Sequence, residues 1–181
     1  MENTKVSVWK GTLNAGIFTG LLMVLYSLLL YFLDQSLNKV LPSLGFLIFI
    51  VGLYLGIRSF RDNARGGFLS YGQVLGAGTV MSLYIAIITA IFAYLLYAVI
   101  DPDLIVKMKD IQREMLIKRG LSDNQIENSF KISAWTRTPW FIAASSLVGT
   151  VFWGFIISLV EGIFLKREPE NPFAEVTEEE Q

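Results

Sequence analysis

Glu161 is the single charged side chain inside four long apolar stretches of this sequence, and it is the first place to look for chemistry. An ionisable residue within a membrane span marks a functional site by default, because placing it there is costly. Glu161 lies four residues short of the end of its stretch. At the same depth stand Asn14 in the first stretch, Arg58 ending the second and Gln73 opening the third. Every stretch thus brings one polar group to a common rim, and two chemistries fit. A small transporter or channel subunit would use the rim to pass a proton or cation, although such sites usually lie nearer the midplane. In the structural alternative Glu161 pairs with Arg58 or reaches toward Lys166, while Asn14 and Gln73 hydrogen-bond between helices. Arg58, Arg61 and Arg65 recur at i, i+3 and i+7, so they share a face if their helix continues past the membrane. That face suits anionic lipid headgroups, phosphate or the acidic segment of a partner; alternatively it only sets the orientation of the chain.

Much chemistry is excluded by residue type. With no Cys there is no disulfide, thiolate nucleophile or iron–sulfur ligand, and with no His there is no imidazole base or histidine-bound metal. The glycines match neither a dinucleotide fingerprint nor a phosphate-binding loop. No pair of carboxylates falls within the apolar stretches. No metal, cofactor or enzymatic activity is therefore expected. Nucleic acid is not an expected partner either, since net charge is −1 and the only compact basic patch adjoins the membrane.

The elements that position these side chains follow from hydropathy. Of the 181 residues, 53% are hydrophobic and 17% charged, below the roughly 25% charged of soluble domains. Crossing about 30 Å of hydrocarbon takes about 20 apolar residues in a helix. Four segments qualify, at about 13–33, 41–57, 74–100 and 139–165. A signal peptide is the competing reading of the first, but its apolar run is long and no small-residue cleavage site follows. The apolar runs do not alternate with polar residues, which excludes barrel strands. The expected fold is all-α: a four-helix membrane bundle over 1–167 with an extramembrane helical hairpin at 102–134. An acidic, disordered tail is expected at 168–181, where six Glu and two Pro follow Arg167.

Four spans put the N-terminus, the second loop and the C-terminus on one side. That side holds Lys5, Lys10, Arg58, Arg61, Arg65, Lys166 and Arg167. The other holds Lys39, Lys107, Lys109, Arg113, Lys118, Arg119, Lys131 and Arg137. The numbers nearly tie, but the three Arg of the short second loop sit beside the membrane, whereas the long third loop balances its basic residues with acids. Both termini are therefore expected in the cytoplasm. Trp9 and Tyr71 would anchor one interface, and Tyr31, Tyr97, Trp135 and Trp140 the other.

Helix starts are legible at Ser70-Tyr71-Gly72-Gln73 and Ser122-Asp123-Asn124-Gln125, both with the spacing of a capping box. Asp101-Pro102 reads as an N-cap and first-turn Pro, Glu114 and Lys118 as an ion pair one turn apart, and Gly120 as a helix stop. Pairs of glycines one turn apart recur at Gly16 and Gly20, Gly52 and Gly56, and Gly72 and Gly76, and Gly154, Ser158 and Gly162 repeat the spacing with small residues. Such pairs let helices approach closely in lipid. They serve packing within the bundle or between copies, with a hinge or pore lining as the alternative.

The runs Arg58-Ser59-Phe60-Arg61-Asp62, Gly66-Gly67-Phe68-Leu69-Ser70-Tyr71-Gly72-Gln73, Gly76-Ala77-Gly78 and Asp101-Pro102-Asp103 together carry a likeness. In these runs, in span order and in loop proportions, the chain resembles the bacterial four-helix membrane family called domain of unknown function 4199. The resemblance implies a multi-pass protein of the bacterial inner membrane and supplies no activity, cofactor or catalytic residue. The expected role is non-enzymatic, structural or interacting, with membrane lipid and either a membrane protein or a second copy of the chain as partner.

Overall fold

The computed structural model describes residues 6–38 and 40–168. Lys5 and Lys39 of the charge comparison, and the acidic tail beyond Glu168, lie outside the described residues. Four helices are long and apolar enough to cross a membrane. They are α1 (Val8–Phe32), α2 (Leu41–Ala64), α3 (Tyr71–Leu95), which a single π turn extends from Leu96 to Ile100, and the last helix, Pro139–Leu165. Between the third and the last, α4 (Asp103–Lys118) and α5 (Asp123–Ile132) form the hairpin. A 3₁₀ turn at Ala134–Arg137 then leads into α6 (Pro139–Leu165). The chain is an all-α, multi-pass membrane protein.

Local signals explain most boundaries. At the start of α3 the Ser70 hydroxyl accepts the Gln73 N–H at 3.4 Å, and Gln73 Oε1 accepts the Ser70 N–H at 3.0 Å. At α5 the return bond is present too, from Ser122 N–H to Gln125 Oε1 at 2.9 Å. Asn38 Oδ1 receives the N–H groups of Val40 and Leu41, which opens α2 just ahead of Pro42. Gly66 and Gly67, with φ of 64° and 89°, reverse the chain between α2 and α3 in a conformation side chains resist.

Three expectations need correction. Asp101 does not cap α4: Pro102, at φ −61° and ψ −23°, already occupies the cap position in helical geometry. There the backbone closes the turn, with the Leu104 N–H donating to the Asp101 carbonyl at 3.2 Å. Glu114 and Lys118 form no ion pair; Arg113 and Asp123, at 3.1 Å, tie α4 to α5 instead, and Glu127 and Lys131 pair at 3.1 Å within α5. The first two spans also run beyond their apolar stretches. α1 starts at Val8 because Gly11 lies under the Phe60 ring and Trp9 packs edge-on against Tyr84. α2 continues to Ala64 because Phe60 is a core residue.

Within the bundle α3 is central, packed mainly on α6 and α1, while α2 lies against α1. Buried side chains concentrate in the half that holds the start of α1 and the end of α6, in two clusters. Ile57, Phe60, Leu69, Val74, Ala77 and Leu165 form one. The other holds Phe49, Leu53, Met81, Ile85 and Ile157. A short antiparallel pairing seals that end: the Leu69 N–H donates to the Arg167 carbonyl at 2.9 Å, and the Arg167 N–H to the Leu69 carbonyl at 2.8 Å. The apolar side chains left exposed, such as Phe18, Leu25, Ile91 and Phe164, are those a bilayer would cover.

Candidate functional site

Glu161 is buried in α6, 6% exposed, and neither carboxylate oxygen has a hydrogen-bond partner. The turn below it explains the burial. Gly162 lies against the Tyr71 ring, and the Tyr71 hydroxyl donates to the Leu159 carbonyl at 3.0 Å, clamping α6 onto α3. The other members of the rim are not gathered around it. Arg58, Asn14 and Gln73 are all exposed. Arg58 pairs with Asp62 at 3.7 Å rather than with Glu161, and Gln73 is engaged by Ser70 in the cap. The i, i+3, i+7 spacing on a continuing helix does hold, but the three Arg side chains part company. Arg61 turns inward, pairing with Asp62 at 2.7 Å and donating to the Leu165 carbonyl at 3.3 Å. Arg65 lies over the Phe60 ring, 5.2 Å from its centroid, with a buried, unpartnered Nε. Of the three, Arg58 alone is exposed, beside its partner Asp62.

The glycine pairs divide sharply. Ser158 Oγ and Ser82 are buried against the glycines of the facing helix, so a Cβ at Gly78 would strike Ser158 and one at Gly154 would strike Ser82. These hydroxyls are satisfied within their own helices, Ser158 by the Gly154 carbonyl at 2.6 Å and Ser82 by that of Thr79 at 2.8 Å. Gly16 faces Tyr84, Gly20 faces Ile88, Gly52 faces Thr19 and Gly56 faces Met81, so these also pack within the chain. Gly72 and Gly76 do not: a Cβ at either would meet nothing. The physical reason is rotation. Gly76 lies two residues before Gly78, roughly 200° around the helix, and so on the side turned away from α6.

A residue that sequence reasoning treated only as a charge organises the hairpin. Arg137 stacks over Phe130 at 4.5 Å, with Lys109 on the same ring at 5.5 Å. Its guanidinium donates to Gln112 Oε1 at 3.0 Å, Ser133 Oγ at 2.9 Å and the Phe130 carbonyl at 3.3 Å. It thereby joins α4, α5 and the start of α6. An Arg seven residues after a buried Phe was the available signal, but the spacing alone does not distinguish it from a solvated charge. Below it, Met108, Ile111 and Met115 of α4 line a cavity with Leu37 and Ile142. Among the described residues, no three acidic side chains come together as metal ligands.

No curated protein and no solved structure matches the chain. A family model does, over residues 14–167, a range that runs from within α1 through the other three long helices and the hairpin. The chain belongs to the family described as "Protein of unknown function (DUF4199)".

Proposed function

We propose that this protein is a non-enzymatic component of the bacterial inner (cytoplasmic) membrane, with both termini in the cytoplasm, and that its work is contact with a partner protein or lipid. The observation that carries the reading is the outward face of the hairpin. Val106, Ile117 and Ile132 are 55%, 52% and 78% exposed on a segment whose other exposed side chains are mostly charged or polar. Apolar side chains left uncovered outside the spans are those that a partner or the headgroup layer covers. The orientation rests on Arg58, Arg61 and Arg65 beside the membrane, on the side of the start of α1 and the end of α6.

Purification in native nanodiscs, with mass spectrometry of everything retained, tests this. A stoichiometric protein partner or a specific lipid is expected with the wild-type chain, and its loss with Val106→Asp combined with Ile117→Asp. Unchanged capture by that double variant would count against the hairpin as the contact surface. The alternative, a small transporter or channel subunit, draws support from the unpartnered Glu161 carboxyl, while the exposure of Asn14, Arg58 and Gln73 weighs against a shared rim. If Glu161→Gln and Arg58→Gln leave every flux in proteoliposomes unchanged, the transport reading is dropped.

A further inference from the structure

The spanning helices part toward the hairpin end and leave a cavity of about 520 Å³ bounded by α1, α2, α3 and α6. Its origin lies in side-chain size. In the other half, Phe49, Leu53, Met81 and Ile85 fill the space between helices. Beyond Phe49 several of the positions facing the cavity are small, Ser27, Gly45, Ser146, Gly149 and Thr150, and they leave space between the helices. Toward α2 and α6 the cavity is bordered by Phe46 and Trp153, whose rings meet edge-on at 5.6 Å.

The cavity is lined mainly by apolar side chains, among them Met23, Phe49 and Phe92, with Thr89 and Thr150 at its deeper end. At its mouth the first loop contributes Ser36, whose Oγ is buried without a hydrogen-bond partner. The neighbouring Tyr26 hydroxyl is already committed to the Leu41 carbonyl at 2.6 Å. A second cavity of about 420 Å³ lies beneath α4, lined by Leu37, the residue after Ser36, and by Ile142, one turn before Ser146. That second space ends at polar groups, Gln112, Ser133 and Arg137.

We propose that the cavity between the four helices holds one acyl chain of a membrane lipid, with the lipid's polar head at the level of Ser36 and the hairpin. Three observations converge. A volume near 520 Å³ falls within the roughly 300–1,000 Å³ of built ligand pockets, which are mostly apolar with a few placed polar groups. The cavity lies between spanning helices, where the surrounding solvent is hydrocarbon. An unpartnered buried hydroxyl, Ser36 Oγ, stands at the mouth, where the ester group of a lipid whose chain fills the cavity would lie. The site shares no substituted residue with the hairpin surface, so its failure leaves the hairpin reading standing.

Two small residues make the test clean. Gly45 of α2 and Ser146 of α6 both line the cavity, and a Cβ at Gly45 meets only the Tyr26 ring, at 3.6 and 3.8 Å. Gly45→Leu and Ser146→Leu therefore enlarge a side chain at the cavity wall from α2 and from α6 respectively. Gly72→Leu adds the same side chain in open space outside it. Each protein is reconstituted in vesicles of phosphatidylethanolamine and phosphatidylglycerol and extracted in detergent. Native mass spectrometry then counts retained lipid, and thermal unfolding reports folding. One phospholipid per chain is expected for wild type and Gly72→Leu, with retention falling about tenfold or more in either cavity variant that folds. Equal retention by the cavity variants overturns the proposal, as does a wild-type chain that holds no lipid or holds a small polar solute instead. Because the two variants enter from different helices, loss of folding in one leaves the other to decide.

Discussion

At the residue scale the informative groups are those whose neighbours differ from what their chemistry invites. Glu161 has no donor on either oxygen and no cation within ion-pair reach. Glu161→Gln therefore orphans nothing, and unfolding in detergent should change by no more than about 1 kcal/mol. A loss of about 3–5 kcal/mol, the cost of breaking a buried ion pair, would reveal a partner. Arg137 is the opposite case. Its planar fork reaches Gln112, Ser133 and the Phe130 carbonyl while lying on the Phe130 ring. Lysine cannot reproduce that geometry. Arg137→Lys should cost about 2 kcal/mol, from charge-assisted hydrogen bonds worth about 1.5–3 kcal/mol to such groups. Hydrogen exchange would show the loss as faster exchange in α5 and the end of α4, with the spans unaffected.

At the scale of elements, the contact between α3 and α6 depends on two reciprocal pairs, Gly78 with Ser158 and Ser82 with Gly154. In hydrocarbon there is no hydrophobic drive to bring helices together, so close backbone approach through small residues has to supply the attraction. Gly78→Ala puts a methyl where Ser158 already stands, and an overpacking cost of about 1–3 kcal/mol is expected. Gly76→Ala, one half-turn away and open, should be neutral or stabilise by up to about 1 kcal/mol through helix propensity. Thermal unfolding of the two variants side by side separates packing from propensity. If both behave alike, the assigned rotation of α3 is wrong.

For the whole molecule, the distribution of packing is uneven along the membrane normal. The half holding the start of α1 and the end of α6 is sealed by the Leu69–Arg167 backbone pairing and filled by two apolar clusters. The half under the hairpin is open between its helices. Single cysteines placed at Asn63, Asp110 and Glu175 test how this asymmetry lies in the membrane. With an impermeant label added to intact cells, only the Asp110 position should react. Labelling at Asn63 and Glu175 from outside would reverse the proposed orientation.

The number of spans was determined by the sequence alone, because unpaired backbone is intolerable in hydrocarbon and about 20 apolar residues per crossing leave a plain trace. The hairpin and the starts at Ser70 and Ser122 were legible as well, since caps act within a few residues. Tertiary structure decided which side of each span faces protein. Lipid and protein interior are equally apolar, so Gly76 and Gly78 look alike in sequence although only Gly78 packs. The same ambiguity hid the outward turn of Asn14, Arg58 and Gln73, the inward turn of Arg61, and the cavity. That cavity depends on small residues from different helices, Gly45 and Ser146 among them, lining the same space, and no single stretch of chain records such a coincidence.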